Sequence, residues 1–447
     1  MNKLSKIIAL AVGLLLPVAV LAQETDWKAL SHYEKTPVKK QLTDRLTEYA
    51  RIDTQAKKSS KVPSTPGQLK LAKMLAKELK KNGAVNVKTD KYGIVTAEIA
   101  SNLDKPAPVL AFIAHLDTPS AISAANVKPQ VHENYNGGTI VINAEKKLSL
   151  DPYIAPQLMR AKGHDIVTAS GDTLLGANGK AGLAILVTVA QYLYDHPQVP
   201  HGTIKLVFTP DSTTGNGVAH VDTATLAANY AYTLDAGELG QLIDETASSK
   251  TFKAVFEGDR TVALGHAISS PFADNVLMAS DFHTLLPRHK RPETTANKNG
   301  FIFVDNISTA GNRTEVTGVI RAFSDEEMNS LTQEVTQAFA TVKRMNYKGK
   351  NFALTFADQE KNIKNAIPPA ALRIAEQAFS QEEVAAHRTA ARDTTDGARL
   401  AAKGLPAVGL FTGYYLSGVQ EYADVDVMES AFRSVMRLST LWANQKK

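Results

Sequence analysis

The chain has 447 residues, with 50 basic and 45 acidic side chains, a formal net charge of +5, 44% apolar residues and no cysteine. That near-neutral balance argues against a nucleic-acid surface, and the missing cysteines exclude disulfides and thiolate metal ligands, so any metal site must use histidine or oxygen. The length exceeds what one core fills and the apolar content supports a packed globular protein, so two domains are expected.

Met1 to Ala22 reads as a cleavable export signal. Lys3 and Lys6 open it, Ile7 to Val20 is apolar apart from Gly13 and Pro17, and Val20-Leu21-Ala22 supplies the cleavage end. The apolar run is short for a bilayer span and is broken by Pro17, and no cysteine at the junction suits a lipoprotein. Cleavage removes two lysines and no acids, taking +5 to +3 over 447 − 22 = 425 residues. The short form looks bacterial, so a periplasmic or secreted protein is expected, with no membrane attachment once the signal is cut.

Helical spacing covers Leu42 to Ala50 and Gln68 to Lys81, the second preceded by the turn Val62-Pro63-Ser64-Thr65-Pro66-Gly67. Pro108 to Ile113 reads as a buried strand followed by His115 and Asp117, Ile204 to Phe208 as another, and Tyr230 to Leu234 as a third ending at Asp235. A helix is expected over Ala181 to Leu193. Strands alternating with helices predict an α/β fold with a mostly parallel sheet, and ligands bind past the carboxyl ends of such strands.

From Ser248 the pattern changes. Lys253 to Glu257, Gly300 to Val304 and Thr314 to Phe323 read as strands, and Ala273 to Leu286 and Asp325 to Met345 as helices. This predicts an α+β insert over 248–361 that divides a main domain into 23–247 and 362–447. The second part contains a helix at Pro369 to Phe379 and a strand at Ala407 to Phe411.

Across nearly the whole mature chain, several phrases occur in a telling order. They include Val62-Pro63-Ser64-Thr65, His115-Leu116-Asp117-Thr118, Glu133-Asn134-Tyr135, Thr173-Leu174-Leu175-Gly176-Ala177 and Phe208-Thr209-Pro210-Asp211. Tyr232-Thr233-Leu234-Asp235, Thr395-Asp396-Gly397-Ala398-Arg399-Leu400 and Gly404-Leu405-Pro406 complete the series. With them the chain resembles the peptidase T family, tripeptide aminopeptidases of the zinc-dependent exopeptidase clan. The resemblance implies a main domain with a two-zinc cleft and an inserted lid that often mediates dimerisation, hence a homodimer. It implies that His115 is a zinc ligand, Asp117 the carboxylate orienting it, and Asp235 a second ligand of the same zinc. Arg321 matches a lid arginine suited to a peptide carboxylate, and Arg392 and Asp396 match a loop at the cleft, where Asp393 and Thr394 replace two glycines. Asp396 is alternatively a cap of the helix beginning near Gly397.

Other positions depart from the family. Asn178 stands for the bridging aspartate, Ser212 and Thr213 for the Glu-Glu pair of general base and second-zinc ligand, Gln420 for the last histidine, and Ala263 for a lid histidine, with His266 nearby. A neutral Asn bridges two dications poorly, so the second position is expected empty, and a zinc at His115 and Asp235 has two strong protein ligands where a catalytic zinc normally has three. An unactivated Ser212 hydroxyl is no base near neutral pH, and losing a positioned base costs roughly 10²–10⁴ in rate, or about 3–5 kcal/mol of barrier. No Gly-x-Ser-x-Gly elbow surrounds Ser212 to make it a nucleophile.

The leading expectation is therefore a peptidase-T-like protein that has lost two-zinc hydrolysis and keeps a cleft for short peptides or amino compounds. Two alternatives stand beside it. One is an active one-metal hydrolase at His115 and Asp235 with Asp172 or Asp211 as third ligand. The other is a structural partner assembling through the lid. His132, His201, His266 and His387 are expected to be structural or exposed, and the pairs Lys39-Lys40 and Lys80-Lys81 to be solvated.

Overall fold

The computed structural model describes residues 37–258, 274–345, 351–393 and 395–446. Ala263 and His266 lie outside the described residues, as do the export segment and Thr394. The chain begins with helices α1 (Val38–Ala50) and α2 (Pro66–Lys81), the latter opened by Pro66, whose missing N–H costs nothing in a first turn. Strands β1 (Val85–Thr89), β2 (Val95–Ile99) and β3 (Leu110–His115) follow, then helix α3 (Ala177–Asp195), β4 (Ile204–Thr209), β5 (Tyr230–Ala236) and β6 (Gln241–Thr246).

The polypeptide then enters a second body. Its strands are β7 (Ser248–Glu257), β8 (Phe301–Ala310), β9 (Arg313–Ala322) and β10 (Asn351–Asp358), and its helices are α4 (Asn275–Leu285) and α5 (Asp325–Arg344). The four strands form an antiparallel sheet in the order β8-β9-β7-β10, with both helices against it. A separate apolar core built around Phe252, Phe256, Phe282 and Val335 holds this body together. Helix α5 is capped by Ser324, which accepts from the Glu327 N–H, and carries Asp325, Glu326 and Glu327 in its first turn and Lys343 and Arg344 in its last, as the helix dipole favours.

Returning to the main body, the chain forms α6 (Pro369–Gln381), β11 (His387–Ala391), α7 (Asp396–Ala401), β12 (Ala407–Phe411) and α8 (Val425–Ala443). The main sheet runs β1-β2-β4-β3-β5-β12-β6-β11. Its centre, β4-β3-β5-β12, is parallel, as is the β6/β11 edge, while β1/β2, β2/β4 and β12/β6 are antiparallel. The expectation of an α/β main body with a mostly parallel sheet and a smaller α+β body is met. The edge hairpin β1–β2 and strand β10 went unread because they lack a continuous apolar run; β1 is largely exposed.

Helix α3 positions the site. It is apolar and buried almost all round, as a helix packed between layers must be. Two glycines let it sit directly on the strand ends. A Cβ at Gly179 would meet the His115 carbonyl oxygen at 2.5 Å, and one at Gly182 the Leu234 carbonyl oxygen at 2.4 Å. Those close approaches bring Asn178 beside His115.

Candidate functional site

Four neighbouring segments converge at the carboxyl end of the parallel strands. His115 ends β3 directly beside Thr209 at the end of β4, Asp235 lies near the end of β5, and Asp396 opens α7. The turn after β4 puts Asp211 in a left-handed conformation at φ +52° and leads into a short 3-10 turn at Ser212–Thr214.

The His115 ring is buried. Its Nδ1 faces the Asp117 backbone carbonyl at 3.0 Å and the Asp117 carboxylate at 3.4 Å, and its Nε2 faces the Asn178 side-chain oxygen at 3.4 Å. Asp117 is fully buried and accepts from the Ser212 N–H (2.8 Å), the Thr213 N–H (2.9 Å) and the Thr213 hydroxyl (2.6 Å). The Ser212 hydroxyl donates to Asp396 Oδ1 at 2.8 Å, which also pairs with the Arg399 guanidinium at 3.2 Å, and Thr209 donates to Asp396 Oδ2 at 3.1 Å. Both hydroxyls are thus donors to carboxylates and are not poised as bases.

The electrostatics follow from these partners. Burial would lower the pKa of His115, but the Asp117 hydrogen bond and charge, with Asp396 and Asp235, outweigh it and hold the ring up at about 9. Burial would raise Asp117, yet His115 and the Thr213 donors leave it below the usual carboxylate range. Asp235 is pushed up to about 6 by burial and by Asp396, against the Thr233 hydroxyl, which donates to it at 2.8 Å, and the His115 charge.

Several expected residues have other partners. Asp396 is not the helix cap: Thr395 is, accepting from the Ala398 N–H at 3.2 Å, because its side chain points back along the helix while Asp396 turns inward. Asp172 is a surface residue paired with Lys146. Asp211 is fully buried and consumed by the Ser64 N–H and hydroxyl and the Gln68 amide. Neither supplies a third ligand beside His115. Arg321 pairs with Asp393 at 2.7 Å and donates to the Arg392 carbonyl, and Arg392 donates to the Thr295 carbonyl at 2.8 Å and lies 4.9 Å over the Phe301 ring. These two arginines tie the second body to the 392–393 loop. Gln420 donates to the Ser149 carbonyl at 2.8 Å. Lys39, expected to be solvated, instead bridges Asp165 and Asp426, since the fold closes α1 onto the start of α8.

A cleft of about 420 Å³ opens beside Asn178, walled by Asp117, Leu174, Tyr414, Leu416, Gln420 and Glu421 among others. Sequence reasoning gave Glu421 no role. It is buried, and its two oxygens accept from the Gly176 N–H (2.7 Å) and the Asn178 N–H (3.2 Å), satisfying the first turn of α3. Arg399 donates to the Ser212 carbonyl and to Asp396, a role that its position in the sequence does not signal. The left-handed Leu416, φ +59°, had no signal in the sequence at all.

The residues at the strand ends do not fit a two-metal centre: His115 and Asp235 are strong donors, while Asn178, Thr213 and Gln420 are neutral. Among the described residues, a set of three His, Asp or Glu ligand atoms within 4.8 Å of one another occurs at His164, Asp424 and Asp426 and not at the cleft. That set already holds Lys39 and the helix-capping bonds of Asp424.

Among solved structures, the fold superposes on a tripeptidase from Staphylococcus aureus (TM-score 0.69, 19% identity, 91% of this chain and 99% of that one). It also superposes on an aminopeptidase from Bacillus cereus (TM-score 0.66, 18% identity, 91% and 99%) and on a dinuclear metal-binding M20 peptidase from Bacillus subtilis (TM-score 0.59, 14% identity, 90% and 98%). The fold is that of the M20 metallopeptidases, an α/β body with a strand-end site and a separate α+β body. Peptidase T of Clostridium botulinum is 36% identical over 410 residues, 91% of this chain and 100% of the relative. Peptidase T of Bacillus cereus is 36% identical over 416 residues, 91% and 99%. The chain belongs to the peptidase T family. No protein-family profile matches it.

Proposed function

We propose that this member of the family binds short peptides or related amino compounds in its cleft without hydrolysing them by two-metal chemistry. The observation that carries the reading is the use made of Ser212 and Thr213. Each hydroxyl donates to a buried carboxylate, Asp396 or Asp117, and an alcohol oxygen is too weakly basic near neutral pH to take a proton from water, so the strand ends hold no general base at these two positions. The donor set around His115 and Asp235 supports the same reading, because a catalytic zinc normally takes three protein ligands and here two strong ones are at hand. A one-metal hydrolase is the less supported alternative, since Asp172 and Asp211 are both engaged elsewhere. Zinc at one weak site remains compatible with the proposal; turnover through it does not.

Export through Met1–Ala22 and a homodimer assembled through the second body belong to the same proposal. N-terminal sequencing of the periplasmic fraction tests the first, and light scattering of the purified protein tests the second. The main test is elemental analysis of the purified protein, with tripeptide hydrolysis assayed in added zinc, manganese or cobalt. No stoichiometric metal and no hydrolysis is the expected result. Tightly held metal, with turnover abolished by His115→Ala or Asp235→Ala, would overturn the proposal.

A further inference from the structure

Arg321, the last residue but one of β9, stands where the second body meets the main one. It is registered against Ser249 of β7, just after the chain has crossed over from β6. Its guanidinium donates to the Arg392 carbonyl at 3.2 Å and pairs with the Asp393 carboxylate at 2.7 Å. Both of these partners lie in the loop between β11 and α7.

Exposure divides the pair unevenly. The Arg321 side chain is 15% exposed and the Asp393 side chain 84%. A sheltered guanidinium needs a counter-charge, because burying a cation unpaired is costly. The acid that supplies the charge stands in water, and holding an exposed side chain in one geometry contributes little. Lys298 and Glu245, another ion pair between the bodies, have the opposite arrangement, with the cation 56% exposed and the acid 7%. Arg392 also crosses between the bodies, but onto neutral groups: the Pro292 and Thr295 carbonyls, the Thr295 hydroxyl and the Phe301 ring. A second carboxylate can thus replace Asp393 at Arg321 without unseating a buried group.

The pair is also close to the strand ends. Asp393 precedes Asp396 by three residues, and Asp396 takes the Ser212 hydroxyl at 2.8 Å. Three residues of chain span at most about 11 Å, and an extended tripeptide spans the same distance. A short peptide seated at the strand ends has the length to carry its own carboxylate toward Arg321.

Resting on the reading of this protein as a binder of short peptides, we propose that Asp393 is a built-in competitor for its ligand. The Asp393 carboxylate occupies Arg321 in the free protein, and the terminal carboxylate of a peptide displaces it. The apparent affinity for such a peptide is lowered by the fraction of protein in which Asp393 holds Arg321, while a ligand without the carboxylate is untouched.

Isothermal titration of the full protein at pH 7 with trileucine and with trileucinamide tests this. Asp393→Ala is expected to tighten trileucine by roughly 3- to 10-fold and to leave trileucinamide unchanged. Arg321→Gln should weaken trileucine alone, and combining the two substitutions should abolish the gain from Asp393→Ala. Trileucinamide bound at the starting affinity shows that each variant is folded. Weakening of both peptides by Asp393→Ala would overturn the proposal, since that is the result of a pair that only holds the two bodies together. An unchanged trileucine affinity, or an equal gain for both peptides, would overturn it too, and in all three cases peptide binding itself stands. Failure of both peptides to bind the starting protein and Asp393→Ala would overturn that reading and the competitor with it.

Discussion

Thr213 donates twice to one oxygen of Asp117, through its backbone N–H at 2.9 Å and its hydroxyl at 2.6 Å. A carboxylate at position 213 could not do this, since two anions at that distance repel unless a cation lies between them. The Thr213 hydroxyl and N–H therefore stabilise a buried carboxylate.

Removing that hydroxyl should be felt in stability. Thr213→Val keeps the shape and loses a hydrogen bond to a charged group, for which about 1.5–3 kcal/mol is expected. Urea unfolding should show a lower midpoint with an unchanged slope, and Thr213→Ser should recover most of the loss.

Glu421 is expected to matter as much, at the other wall of the cleft. Glu421→Ala leaves the Gly176 and Asn178 N–H groups without their acceptor in a buried setting, at about 1–3 kcal/mol for each group left unpaired. Hydrogen exchange at those two amides should accelerate well before the rest of α3 responds.

The metal question can be turned round by adding ligands. Asn178→Asp raises the strong donors near His115 from two to three, the usual protein complement of a catalytic zinc. Zinc titration should then show ~10-fold or greater tightening over the starting protein. Adding Ser212→Glu, Thr213→Glu and Gln420→His should bring a second equivalent and measurable tripeptide hydrolysis. A quadruple variant that binds no more zinc than the starting chain would mean that the strand ends are not arranged as a metal centre.

A pH dependence is expected from His164. His164 Nδ1 lies 2.8 Å from Asp424, and that hydrogen bond, against partial burial, raises the histidine pKa above its ordinary 6.5. The folded state thus binds the proton more tightly than the unfolded chain. The stabilisation is fully present below pH 6.5 and is lost as the pH rises through the raised value. Thermal midpoints of the starting protein and His164→Gln should differ most at pH 5–6 and converge in mildly alkaline buffer.

Much of this architecture was legible in the residues. Leu110–His115, Ile204–Thr209 and Tyr230–Ala236 are apolar runs too short for helices and bounded by polar text, and they form the central parallel strands. In the second body, strand Arg313–Ala322 was visible because it alternates, with every other residue buried. Strand His387–Ala391 was not visible, since an edge strand with half-exposed small and polar residues has no periodic signal.

Residue identity alone set the chemical groups on offer: His115, Asp117 and Asp235, with amides and hydroxyls at Asn178, Ser212, Thr213 and Gln420. Residue type decides charge and donor count, and no folding can turn Asn178 into a bridging anion. Only the tertiary structure decided what those groups do. Residues as far apart in the chain as Asp117 and Thr213, Ser212 and Asp396, and Gly176 and Glu421 become hydrogen-bonded pairs because parallel strands bring their carboxyl ends side by side and α3 packs on them through Gly179 and Gly182. Hydrogen-bond partners are fixed by distance and direction in space, which spacing along a chain does not encode.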